Sequence, residues 1–122
     1  MSSSAPVTII VSFPVLHPQT GKPITFNRDY YINTHIANVA KDWLPYGYLG
    51  YHFNEFLNPN PVTGQPPECA FQTVGYFETL EGLFKAMEAT KEKSMEDVKN
   101  FTDEGVVPSV LIGTRSAEER FK

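Results

Sequence analysis

The stretch Val7-Thr-Ile-Ile-Val-Ser-Phe-Pro-Val-Leu16 constrains the fold more than any other, because it is rich in β-branched residues and apolar on two sides. β-Branched side chains suit the pleated backbone, and successive side chains of a strand point to opposite faces. The odd positions Val7, Ile9, Val11, Phe13 and Val15 form one wholly apolar face, and the even face still carries Ile10 and Leu16. Such a strand needs cover on both sides. A closing strand, Val106-Val-Pro-Ser-Val-Leu-Ile-Gly113, has the same property, with Val107 and Leu111 set against Val110 and Ile112.

Between these two strands the pattern alternates. His17 to Pro23 is a loop by its Pro and Gly content, with His17 solvated in it. Asn27 to Trp43 reads as a helix: Asn27 is a good N-cap, Asp29 suits the positive end of the helix dipole, and Pro45 stops the run. Tyr46 to Leu57 is dense in aromatic residues and reads as a second strand. Tyr46, Tyr48, His52, Asn54 and Phe56 are assigned to one face, and Leu49, Tyr51, Phe53 and Leu57 to the other. Residues 58–67 hold four prolines and form an exposed loop. Glu68 to Phe77 resumes strand character. Leu80, Leu83, Phe84 and Met87 then recur at helical spacing from Thr79 to Ala89. Asp97 to Asp103 is a short turn or helical piece.

The order strand, helix, strand, strand, helix, strand is the split βαβ pattern of an α+β, ferredoxin-like fold. It predicts a four-stranded antiparallel sheet with both helices on one face. The other face remains apolar, and closing it against a second copy in a homodimer solves that problem.

A chain of 122 residues with 41% hydrophobic and 20% charged residues suits a single globular domain over 1–122, with loosely held ends at 1–6 and 114–122. Ten basic residues against fourteen acidic ones give a net charge of −4, the wrong sign for a nucleic-acid partner. Cys69 stands alone, which excludes an internal disulfide and a cysteine-based zinc site; buried packing is its simplest role. No apolar run approaches the ~20 residues of a membrane span, and no charged segment precedes the first strand as in a signal peptide. These features point to a soluble, cytoplasmic protein. Its three histidines show no metal-ligand spacing, and phosphate-binding glycine loops are absent.

Tyr31 and His35 lie four residues apart on the first helix. At about 100° per residue that spacing leaves them about 40° apart, on one face. An imidazole, with an ordinary pKa of ~6.5, both holds and releases protons near neutrality. His35 therefore reads either as a general acid/base or as a core histidine satisfied by its neighbours. Tyr31 reads either as its orienting or oxyanion-stabilising partner or as aromatic packing.

Two blocks carry a family resemblance that spans nearly the whole chain. Phe26-Asn-Arg-Asp-Tyr-Tyr-Ile-Asn-Thr-His35 and Asp97-Val-Lys-Asn-Phe-Thr-Asp103, followed by Pro108 and a closing strand, resemble the EthD-type members of the dimeric α/β-barrel superfamily. Members often carry proline two residues after the histidine, where this chain has Ala37. The resemblance implies a homodimer, a small-molecule cavity between helices and sheet, and no cofactor. It further implies an activity in the breakdown of small organic compounds or in tailoring polyketide-type aromatics by cyclisation, dehydration, decarboxylation or cofactor-free oxygenation, and a proton-moving His35 would suit an isomerisation as well. On this footing His35, Tyr31 and, by motif, Asp103 are the candidate catalytic residues; a turn aspartate bonded to its own backbone is the plain alternative for Asp103. Tyr30, a further candidate ligand contact, falls about 100° from Tyr31, so one of the two lies at the rim or the dimer contact. Trp43, Phe71 and Tyr76 are candidate cavity walls, with core packing as the alternative. Tyr48 and His52 line the cavity or the dimer interface, according to which way their strand face points. The expected ligand is a small hydrophobic oxygenated ring compound.

Overall fold

The computed structural model describes residues 6–121. Four strands, β1 (Val7–Phe13), β2 (Tyr48–Glu55), β3 (Phe71–Phe77) and β4 (Ser109–Thr114), form one sheet in the order β2-β3-β1-β4. All neighbouring pairs are antiparallel. The α+β, ferredoxin-like architecture read from the element order is thus the one observed.

Register decides which side chains meet the helices. Val7, Ile9, Val11 and Phe13 of β1 oppose Phe77, Gly75, Thr73 and Phe71 of β3. This is the covered face, where Val7, Phe13 and Phe77 are almost completely buried. β1 ends at Phe13 instead of continuing to Leu16, since Pro14 has no amide to donate; Leu16 makes only an isolated bridge with Pro23. Glu68 to Ala70 also lie outside β3.

In β2 the expected alternation breaks. Tyr48 pairs with Phe77 and Gly50 with the next residue, Tyr76, so Leu49 is an extra residue in a β-bulge. Gly50 takes φ +148°, a conformation that disfavours a side chain. The bulge reverses parity along the strand. Tyr48 therefore shares the covered face with Tyr51 and Phe53, while His52 points to the opposite face, contrary to the grouping of Tyr48 with His52 expected from strict alternation.

The first helix runs in three segments: α-helical Arg28–Tyr30, a π-helical stretch Tyr31–Ile36, and α-helical Ala37–Trp43. Its start is capped as the sequence suggests, with Asn27 accepting from the Tyr30 amide at 3.0 Å. Ala37 donates its amide to the Thr34 carbonyl, and the helix continues; a proline there would have no such donor. Pro45 then opens a short 3-10 turn, Leu44–Tyr46.

The second helix spans Leu80–Asp97, well past the Ala89 at which its apolar period fades. Its inward stripe continues as Ala86, Thr90 and Ser94, small or polar side chains that carry little hydrophobic signal, while the remainder is rich in good helix formers. Thr79 caps it by accepting from the Gly82 amide at 3.0 Å. A Cβ at Gly82 would lie 2.1 Å from the Tyr46 carbonyl oxygen, so the close approach of that turn excludes the Glu or Gln of a capping box.

The core has two parts. Val7, Ile9, Tyr48, Phe77, Leu83 and Ala86 form one, and Phe13, Tyr31, Ile36, Phe101 and Val106 the other. Helices leave β4 uncovered: Val110 and Ile112 on the helix side and Leu111 on the other are all exposed. The C-terminal end is tied down in part, since Thr114 belongs to β4 and the Arg115 amide donates to the Pro6 carbonyl. Residues 1–5 and 122 of the expected loose ends lie outside the described residues.

Candidate functional site

A cleft of about 900 Å³ lies between the covered face of the sheet and the second helix, with a predominantly apolar wall. Ile9, Val11 and Phe13 of β1 form its floor, Phe84, Met87 and Met95 of the second helix one side, and Val110 and Ile112 of β4 the outer edge. Tyr31 and His35 of the first helix stand together in its wall.

The π turn carries both residues. Such turns are uncommon and frequently mark functional sites. The Tyr31 and His35 rings lie 5.4 Å apart at an interplanar angle of 19°, so they stack instead of hydrogen-bonding to one another. The Tyr31 hydroxyl bonds Thr73 Oγ1 at 2.6 Å, deep in the sheet floor. Burial pushes its pKa up to about 12, which keeps the phenol protonated. Burial raises the Tyr48 phenol in the same way.

His35 Nδ1 lies 2.8 Å from Asp97 Oδ2. The same carboxylate receives the Tyr30 hydroxyl at 2.6 Å and the Asn100 amide at 2.8 Å, both on Oδ1. Partial desolvation works to raise the Asp97 pKa, but the hydrogen bonds from Tyr30, Asn100 and His35 outweigh it and hold the carboxyl below its usual range. Tyr30 responds in the opposite sense: donation to a carboxylate raises its pKa.

The carboxylate bonded to His35 is therefore Asp97, whereas Asp103, the acid that the motif put forward, is bonded elsewhere. Asp103 Oδ2 accepts from the Thr25 amide at 2.8 Å and Oδ1 accepts the Thr25 hydroxyl, two bonds that lower its pKa. It ties the segment before the first helix to the one before β4, and it too is among the residues that line the cleft. The reason is helical extension. Once the second helix continues to Asp97, that residue, at its C-terminal end, faces His35, while Asp103 is carried on past Phe101.

Of the other proposed ligand-contacting residues, Trp43 and Tyr48 line the cleft, and Trp43 Nε1 donates to Thr90 Oγ1 at 2.9 Å. Tyr30 lies behind His35 on Asp97, outside the cleft lining. Phe71 is not in the wall either; it stacks on Phe26 with ring centres 4.3 Å apart. His52 and Tyr76 are on the opposite face of the sheet, bonded to each other at 3.3 Å, because the bulge and the register of β3 turn both away. His17 is held by its neighbours instead of being merely solvated: Nδ1 accepts from the amides of Gln19 and Thr20, and Nε2 bonds the Glu104 carbonyl at 2.7 Å. The residues that sequence reasoning passed over are Asp97, Asn100, Thr73 and Thr90. Asp97 was the first residue of the very segment that drew attention to Asp103; the others gave no signal beyond being small or polar.

Among the described residues no group of three or more His, Cys, Asp and Glu side chains is placed to hold a metal ion, and no helix is long and apolar enough to cross a membrane. No curated protein matches the chain. Among solved structures, the fold is similar to an EthD-like protein from Ralstonia eutropha JMP134, with TM-score 0.77 at 19% identity over 95% of this chain and 96% of that one. It is also similar to SnoaB, a cofactor-independent oxygenase from Streptomyces nogalater, with TM-score 0.59 at 7% identity over 94% and 97%. An ethyl tert-butyl ether D (EthD) family protein from Bacillus halodurans C-125 gives TM-score 0.54 at 16% identity over 91% and 98%. With the EthD domain matching residues 25–105, a segment that holds the Tyr31, His35 and Asp97 cluster, this chain belongs to the EthD family.

Proposed function

We propose that this protein is a cofactor-independent, cytoplasmic enzyme that acts on a small hydrophobic, oxygenated ring compound of polyketide or aromatic type, with His35 as general acid/base. The observation that carries this reading is an imidazole held by a carboxylate at 2.8 Å on the wall of an apolar cleft of about 900 Å³. Apolar and aromatic walls with a few placed polar groups suit such a ligand. In a dehydration, His35 takes a proton from carbon next to a carbonyl and returns it to the departing hydroxyl, which leaves as water. The ring then ends each cycle as it began. In a decarboxylation the protonated ring supplies the proton that replaces carbon dioxide. Asp97 stabilises the imidazolium formed on the way. A protonated Tyr31 serves as a hydrogen-bond donor near a developing oxyanion if it exchanges its Thr73 partner for the ligand. The fold already carries a cofactor-independent oxygenase in Streptomyces nogalater, so chemistry without a cofactor is compatible with it.

The outer face of the sheet supports a homodimer, since it exposes Leu111. Sedimentation equilibrium tests it: a dimer mass is expected, and a monomer at micromolar concentration removes the dimer from this reading.

Mass spectrometry of compounds carried through purification, followed by assay of those compounds with wild type and His35→Ala, tests the activity. Loss of turnover with fold and ligand retention intact is expected. A second reading, a binding or delivery protein, is favoured by one feature: the Tyr31 hydroxyl is already satisfied by Thr73, which leaves few free polar groups in the wall. It is distinguished by retention of a ligand that the wild-type protein never converts.

A further inference from the structure

We infer that Tyr30 and Asn100 are positioning residues: by donating together to Oδ1 of Asp97, they aim Oδ2 at His35, fix its ring as the Nδ1–H tautomer, and leave Nε2 as the atom that exchanges a proton with a ligand in the cleft. Only the last clause rests on the proposed acid/base reading.

Three elements converge on this carboxylate. Tyr30 comes from the turn before the π segment, Asp97 from the end of the second helix, and Asn100 from the 3-10 turn that follows it. An ionised carboxylate only accepts, so the Nδ1 that contacts it at 2.8 Å must carry the hydrogen. The lowered Asp97 pKa agrees with an ionised group. A neutral histidine in water favours the Nε2–H form, so the Nδ1–H state here is one that the protein imposes.

The two edges of the ring face different surroundings. A polar groove of about 290 Å³ runs along one side and is lined by Asp97 and Asn100. Neither residue lines the apolar cleft, whereas His35 borders both spaces. Asp97 thus meets Nδ1 from the groove side, and Nε2 is the ring nitrogen left free for a ligand. Nε2 has no hydrogen-bond partner among the described residues, yet none of their side-chain nitrogens or oxygens is both buried and unpartnered. It therefore keeps open surface. His17 is an internal contrast, since its Nδ1 accepts from two backbone amides and its Nε2 must carry the proton.

Long-range ¹H–¹⁵N correlation spectra of the uniformly labelled full chain, recorded where the imidazoles are neutral, read each tautomer directly. In wild type, His35 is expected as Nδ1–H and His17 as Nε2–H in the same spectrum. In Asp97→Asn, Tyr30 and Asn100 keep the amide oxygen in the Oδ1 place and so turn the NH₂ toward His35. The ring must then accept at Nδ1, and His35 is expected to switch to Nε2–H while His17 stays unchanged. Adding Tyr30→Phe relaxes that orientation, and part of the Nδ1–H signal should return. If Asp97→Asn does not fold, as judged by the His17 signals, Tyr30→Phe alone is expected to raise the Nε2–H share at His35. The inference is overturned by an Nε2–H His35 in wild type, by Nδ1–H persisting in folded Asp97→Asn, or by spectra of Tyr30 variants that match their parents. Spectra as expected support it even if His35→Ala retains turnover, so this assignment and the proposed activity fail separately.

Discussion

Each side of the sheet has a tyrosine beside a histidine, one pair on the first helix over the covered face and one on the strands of the outer face, and the two pairs have different physical chemistry. On the covered face, Tyr31 is 2% exposed, its ring stacks on His35, and the imidazole is held by a carboxylate that has two further donors. On the outer face, Tyr76 Oη and His52 Nδ1 meet at 3.3 Å with no carboxylate bonded to either among the described residues, and His52 is exposed. The residue types are the same, so composition cannot separate them. Burial and the third partner do, because a hydrogen bond in a shielded place is stronger and its loss leaves a group unsatisfied.

The sharpest way to test that contrast is to delete each histidine. His35→Ala should lower kcat by about 10²–10⁴-fold, the usual contribution of a positioned acid/base group. His52→Ala should leave kcat within about twofold, and steady-state assay of any compound the wild type converts checks both. Equal losses would remove the distinction.

Stability follows the same division. Phe77→Ala, at a position with no exposure, is expected to destabilise the fold by about 3–5 kcal/mol in denaturant titration. Tyr31→Phe should cost about 1–3 kcal/mol, since it leaves the buried Thr73 hydroxyl without its partner. Tyr76→Phe should stay within about 0.5 kcal/mol, as expected of a surface change.

Titration probes the pair on the covered face from both ends of the pH scale. A phenol with its pKa raised from 10.0 to about 12 keeps its proton more firmly in the folded state. Its contribution to stability is complete below pH 10 and is lost as pH rises toward about 12. Tyr31→Phe should flatten that alkaline loss. Asp97 has the opposite sign: with its folded pKa below 3.8, it stabilises fully above that value and loses its contribution as pH falls through the folded pKa. Asp97→Asn should therefore be less sensitive to acid than wild type, with urea midpoints across pH as the measurement. The smallest effect belongs to the outer face, where the Arg115 guanidinium lies 5.9 Å from the Tyr76 ring centre. Arg115→Gln should cost less than about 1 kcal/mol.

Element order was legible because each segment declares itself locally. β-Branched runs, a capping Asn27, a capping Thr79 and proline stops are short-range signals, and together they define a ferredoxin-like chain. The pairing of Tyr31 with His35 was legible for the same reason, since four residues along one helix keep both on one side.

The assignment of the acid and of the sheet faces was not. One extra residue at Leu49 exchanges the two faces of β2 partway along, and the only local hint is Gly50 beside it, since a glycine within a strand often marks a bulge without fixing which face each neighbour takes. Asp97 and Asp103 stand in one short segment, and the sequence treats them almost alike; only where the second helix ends sends Asp97 to His35 and Asp103 to Thr25. By itself the sequence determined which elements form and where the histidine sits on its helix, because these depend on contacts within a few residues. The tertiary structure alone decided which carboxylate the histidine meets and which side of the sheet each aromatic serves, because those depend on register and on chain segments brought together from 62 residues apart.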